Sequence, residues 1–236
     1  MKVSQLSTLE SVEALVLCGS QSRGGSDEHS DTDYAVFAHA MSFDELVAIK
    51  DAALAAVEDV TENLSLYSCR AAEDMASRGS LFLWHLRLEG QTYYRRSGWL
   101  DGLFTGLRPY SHDAALIQLR ILAQAIDDID YSLRQDDTTL LFEASFLYSI
   151  VRTIGIAVTT LSGMPRFGRL EPIFLASHVM GDSLKIPRAD LDRLLAAKHC
   201  YARNQGSEPD VTVEGLARTL AGARAFLDAA LQWIQA

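Results

Sequence analysis

The sequence predicts an α+β chain: a strand-and-helix domain over residues 1–105, then an all-α helical bundle over residues 106–236. Three observations carry that reading. Up to about residue 100, short apolar runs bounded by turn residues alternate with helix-like segments. Beyond Pro109 the apolar residues recur every three or four positions. No internal repeat and no low-complexity tract interrupts either half.

In chain order, Ala14-Leu15-Val16-Leu17-Cys18 is an apolar run closed by Gly19, the pattern of a buried strand. Tyr34 to Ala38 is a second such run. Gly19 to Ser30 between them is rich in Gly, Ser and Asp and reads as a loop. Ser42-Phe43-Asp44-Glu45 has the capping-box pattern and should open a helix to about Val57. Asn63 to Ser68 alternates polar and apolar residues, a third strand. Ala71 to Glu89 reads as one helix containing Gly79, and Gln91 to Tyr94 as a fourth strand. In the second half, Ala115, Leu119, Leu122, Ile126, Ile129 and Leu133 mark one helix face, with Asp127, Asp128 and Asp130 on the others. Leu140–Leu161 should be a more apolar helix, and Pro172–Met180 and Ala189–Tyr201 shorter ones. The last helix carries Leu216, Leu220, Ala223, Leu227, Leu231 and Ile234 on one stripe. The boundary between the halves falls near Trp99–Ser111.

Composition narrows the functions. Hydrophobic residues are 48% and charged residues 22%, ordinary for a globular chain. No run is expected to span a membrane, and Met1 to Gln5 offers no apolar signal core. Cys18, Cys69 and Cys200 are too scattered for a disulfide framework or a zinc site, which favours a reduced, cytoplasmic setting. With 31 acidic against 21 basic residues the net charge is −10. Nucleic acid is therefore a poor partner. A small cation, a protein, or a nucleotide carried with its metal suits that charge better; homodimerisation is left open.

Chemistry concentrates in Gly19-Ser20-Gln21-Ser22-Arg23-Gly24-Gly25-Ser26-Asp27-Glu28-His29-Ser30-Asp31-Thr32-Asp33. A glycine at a strand end lets backbone N–H groups approach a ligand. Ser20 adds a hydroxyl, and Arg23 a fixed cation whose fork of donors fits phosphate oxygens. Asp31 and Asp33 are two apart, so on a strand both carboxylates project to one face. Such a pair is costly unless a divalent cation compensates it. Asp27 and Glu28 read as solvated, and His29 as a polar turn residue, since imidazole is a poor partner for magnesium.

This pattern resembles the nucleotidyltransferase superfamily of DNA polymerase β, whose mark is a Gly-Ser turn followed by an Asp-x-Asp strand. Gly19, Ser20, Arg23, Gly24, Asp31 and Asp33 fall on the motif, which covers about the first seventy residues. The resemblance implies a mixed sheet with helices. It also implies magnesium-dependent transfer of a nucleoside monophosphate from a nucleoside triphosphate, ATP first among them, to an acceptor hydroxyl. Gly19, Ser20, Arg23 and Gly24 would bind the nucleotide, and Asp31 and Asp33 the metal. A third carboxylate is common in the superfamily. Glu62, just before the third strand, resembles the Glu that antibiotic nucleotidyltransferases carry there, as metal ligand or base. Asp59 and an acid of the helical half, Glu143 above all, are the alternatives, and a degenerate, inactive site is another.

The helical half is weakly similar to HEPN domains, but no His follows Arg203-Asn204, so ribonuclease chemistry lacks its partner. Arg152 is expected either to contact phosphate or acceptor, or to snorkel or pair with an acid. His85 is expected to be packed or at the surface. Trp84, Tyr93, Tyr94, Trp99 and Tyr110 are read either as lining an acceptor cleft or as core at the domain junction. Acceptor candidates are an aminoglycoside-like small molecule, drawn by the acidic surface, or a protein hydroxyl, AMPylated as by antitoxin-type nucleotidyltransferases. The rival class is a catalytically inactive binding protein.

Overall fold

The computed structural model describes residues 10–19, 33–39, 42–56, 63–135, 139–203 and 206–236. The chain splits into two compact units, Met1–Pro109 and Tyr110–Ala236.

The first unit is built on a four-stranded mixed sheet in the order β3-β2-β1-β4. Strands β1 (Val12–Cys18) and β2 (Asp33–Ala38) are antiparallel, β3 (Asn63–Ser68) runs parallel to β2, and β4 (Gln91–Arg95) is antiparallel to β1. β1 and β2 are buried on both faces, which is why they read as unbroken apolar runs. Ala14, Val16, Cys18, Ala35 and Phe37 point to one face, and Leu15, Leu17, Tyr34, Val36 and Ala38 to the other. A register shift between Val12 and Ala14 turns Val12 onto the second face.

Helix α1 (Phe43–Ala56) supplies Ile49 to the second face. Its capping box forms as the sequence predicts: Ser42 N donates to Glu45 Oε2 at 2.8 Å, and Glu45 N to Ser42 Oγ at 3.4 Å. The first face is covered by α2 (Cys69–Ser77), α3 (Leu81–Glu89) and α4 (Trp99–Thr105). Two expectations fail here. The single helix expected over 71–89 is two, because Gly79 has φ +71° and passes so close to the chain that a Cβ there would sit 2.5 Å from the Pro109 carbonyl oxygen. Helix α4 was not anticipated, since Gly98, Gly102 and Gly106 obscure its pattern. Residues up to Pro109 belong with this unit: Arg108 N donates to Ala76 O at 3.1 Å, and its carbonyl accepts from Trp84 Nε1 at 3.0 Å.

The second unit contains α5 (His112–Leu133), α6 (Leu140–Leu161), α7 (Glu171–Val179), α8 (Arg188–Arg203) and α9 (Val213–Gln235). The predicted stripes of α5 and α9 meet in one core: Ala115, Leu119, Ile126 and Ile129 are buried together with Leu216, Leu220, Ala223 and Leu227. Ser111 and Thr212 cap these helices by accepting from Ala114 N and Gly215 N. Contrary to expectation, α6 is long and apolar enough to cross a membrane by length and composition; 67% of its most apolar window is buried inside the protein. That is also the pattern of a bundle's central helix, and α7, α8 and α9 pack on it.

Candidate functional site

The site is anchored where β1 ends and β2 begins. Antiparallel pairing sets Cys18 opposite Asp33, and parallel pairing sets Asp33 beside Asn63, the first residue of β3. The chain therefore leaves β1, enters β2 and enters β3 at one end of the sheet. Gly19 takes φ +88°, and a Cβ there would lie 2.9 Å from Asp33 Oδ2. A side chain at 19 would thus be strained by its backbone and would crowd the carboxylate.

Alternation places Asp33 on the same face as Ala35 and Phe37. The Cys18 thiol donates to the Asp33 carbonyl at 3.2 Å. Burial, with the Asp33 charge second, pushes the Cys18 thiol up to about 12, so it is a neutral donor at physiological pH. On β3, Leu64 and Leu66 pack to the opposite face, while Tyr67 packs on the face that Asp33 shares. Burial raises the Tyr67 phenol; the Ser65 hydroxyl hydrogen-bonded to it acts in the opposite sense, and the nearby Cys18 thiol raises it further.

Of the residues expected at the site, Gly19 and Asp33 are brought together. Ser20, Arg23, Gly24, Asp31, Asp59 and Glu62 lie outside the described residues, as do Asp27, Glu28 and His29. Among the described residues no group of three or more His, Cys, Asp or Glu is placed to hold a metal. Glu143 is 7% exposed in the first turn of α6, its N–H bonded to the Thr139 carbonyl. Arg152 is not poised for phosphate: its Nε donates to Gly168 O at 2.9 Å and Nη2 to Phe167 O at 2.5 Å, pinning the segment before α7. The backbone of Arg203 ends α8, and Asn204 lies outside the described residues. His85 Nε2 lies 3.2 Å from Glu89 Oε2, one helical turn along α3.

The five aromatics do not gather as one cluster. Trp84 and Trp99 pack on the helix-covered face of the sheet, Tyr93 and Tyr94 on the other face, and Tyr110 in the bundle core. Trp99 borders a groove of about 490 Å³ with Glu73, Ser77, Gly102, Gly106 and Arg108, and its Nε1 donates to Glu73 Oε1 at 2.8 Å. Unanticipated in the sequence were Cys18, Ser65 and Tyr67. Their signal is a residue type with donor capacity on the face that Asp33 shares, readable only once the register is known.

Neither a family model nor a curated protein matches the chain. A solved structure does: the crystal structure of spectinomycin adenyltransferase from Enterococcus faecialis with ATP and spectinomycin. The TM-score is 0.51 at 12% sequence identity, over 94% of this chain and 98% of that one. The likeness is one of fold: a mixed α+β sheet unit followed by helices. The matched residues include parts of both units.

Proposed function

We propose that the protein transfers a nucleoside monophosphate from ATP to the hydroxyl of a small molecule, at the corner made by Gly19 and Asp33. The observation that carries the reading is that corner: a glycine in the left-handed region, with the carboxylate of a strand's first residue in the space its side chain would fill. In the proposed site Gly19, Ser20 and Gly24 present backbone and hydroxyl donors to the phosphates, and Arg23 neutralises their charge. Asp31 precedes Asp33 by two residues, and Glu62 immediately precedes Asn63, which pairs with Asp33. By their sequence positions the three carboxylates would stand near one sheet end, where they would suit a hard divalent cation with oxygen ligands.

Asp31, Asp33 and Glu62 would hold magnesium, which when bound lowers the pKa of a coordinated hydroxyl and offsets phosphate charge. Glu62 takes the acceptor's proton. A bond forms between the acceptor oxygen and the α-phosphorus, the bond from that phosphorus to the bridging oxygen breaks, and pyrophosphate leaves with the electron pair. The protein's share is positioning and charge neutralisation. A small cationic acceptor suits the net charge of −10, and the structural neighbour was solved with ATP and spectinomycin. The test is incubation with ATP, magnesium and a panel of aminocyclitols, aminoglycosides and candidate proteins, read by mass. A small-molecule product heavier by one AMP supports the reading. Modification of a protein hydroxyl alone would move the acceptor to the antitoxin-type class, and no product at all would leave a binding protein.

A further inference from the structure

The sheet order puts β1, with Gly19 at its end, on one side of Asp33, and β3 on the other. In a displacement at phosphorus the attacking and leaving groups stand on opposite sides. If the loop that follows Gly19 holds the triphosphate, the β3 side of Asp33 is left for the acceptor. This inference therefore rests on the proposed nucleotidyl transfer and deepens it.

Two hydroxyls stand on that side. Ser65 pairs with Ala35 and Tyr67 with Phe37, so both share the face of Asp33. Ser65 is exposed although Ala35, its neighbour on that face, is fully buried. The helices thus cover the Phe37 end of this face and leave it open at Ser65, on the way to Asp33. The Tyr67 ring is fixed in a row of aromatics. It stacks on Phe37 at 5.7 Å and meets Phe82 at 4.9 Å, and Trp99 in turn lies 5.7 Å from Phe37. A phenol so held has little freedom, and Ser65, two residues before it on the same face, is near enough to act on its titration. β3 carries no acid from Asn63 to Ser68, so its polar residues on this face, the two hydroxyls and the amide of Asn63, are all neutral.

We propose that Ser65 is the acceptor-binding hydroxyl of this centre, that Tyr67 is the positioning residue that orients it, and that the acceptor is a hydroxyl-rich small molecule. A neutral hydroxyl can both donate to and accept from an acceptor hydroxyl without competing for the cation.

The experiment is steady-state transfer from ATP to spectinomycin and a set of aminoglycosides, with the full chain, in wild type, Ser65→Ala, Ser65→Thr and Tyr67→Phe. Loss of one neutral hydrogen bond should raise the acceptor KM of Ser65→Ala by about 10-fold. The ATP KM should stay within about two-fold, and Ser65→Thr should restore the acceptor KM. Tyr67→Phe keeps the ring and should shift the acceptor KM the same way by a smaller factor. Ser65 is exposed, so its variants should fold, and thermal melting checks this. An unchanged acceptor KM in Ser65→Ala, or an equal rise in the ATP KM, overturns the assignment and leaves nucleotidyl transfer standing. Wild-type protein that transfers to none of these compounds overturns both.

Discussion

The two ends of the β1–β2 pair each hold an acid, and the two acids live differently. Glu13, near the start of β1, is 7% exposed, and side chains take both of its oxygens: His39 Nε2 lies 3.0 Å from Oε1, and Ser97 Oγ donates to Oε2 at 2.7 Å. The backbone around it is tied as well, with Arg96 N donating to Glu13 O and Arg96 Nε to Val12 O. Asp33, at the other end, is half-buried and faces a glycine that leaves room beside its carboxylate. A carboxylate whose oxygens are consumed by its own fold serves stability. One that stands beside a missing side chain has room next to it for a ligand as well. Charge and residue type do not separate the two; neighbours do.

The largest effect should come from exchanging the acids' fates. Asp33→Asn removes a charge and almost no volume, so transfer should fall by at least about 100-fold while the thermal midpoint moves little. Activity kinetics beside a melting curve check this, and wild-type turnover would remove Asp33 from the site. Glu13→Ala should do the reverse. It removes the two hydrogen bonds of a buried side chain, while exposed His39 and Ser97 turn to water, and should cost about 1–2 kcal/mol of stability, with turnover per folded molecule preserved. Urea titration measures it; a lost activity with intact stability would erase the contrast between the two ends.

Gly19→Ala sits between them, since it should touch both properties. The left-handed backbone costs a non-glycine residue about 1–2 kcal/mol, and the added Cβ would press on Asp33 Oδ2. Lower stability and lower activity in one variant are expected; a variant like wild type in both would mean the cradle is not needed.

At neutral pH the smallest effect comes from Cys18, whose contribution at the same corner shows only above pH 9. The folded Cys18 thiol is raised from 9.0 to about 12. Below pH 9 the thiol is protonated in both states. Between 9 and 12 the unfolded chain ionises first, so the folded state binds more protons and stability falls as pH rises. The slope from this one group is at most about 1.4 kcal/mol per pH unit. Cys18→Ala should flatten that part of the pH–stability curve, and an unaltered curve would count against the buried, Asp33-facing thiol.

The same contrast explains what could be read from the sequence. β1 and β2 were legible because burial on both faces leaves an apolar run, and the stripes of α5 and α9 because one face of each meets the core. The α2–α3 break was not, because Gly79 answers to the Pro109 segment thirty residues away, and α4 was hidden by its glycines. At the site, Gly19 and Asp33 could be picked from the motif, whereas Ser65 and Tyr67 needed the β2–β3 register to be seen beside them. From sequence Arg152 reads either as a ligand contact or as snorkelling or paired with an acid, and the fold commits two of its N–H groups to carbonyls of the segment before α7. Local pattern carries the elements; long-range pairing carries the roles.

Two labels on ATP, followed through one reaction, test directly whether the Gly19–Asp33 corner transfers a nucleotidyl group. ATP labelled at the α-phosphate or at the γ-phosphate is incubated with the protein, magnesium and spectinomycin or an aminoglycoside. Nucleotidyl transfer at this corner puts the α-label on the acceptor and the γ-label in released pyrophosphate, with both lost in Asp33→Asn. The γ-label on the acceptor, or the α-label transferred equally well by Asp33→Asn, would contradict it.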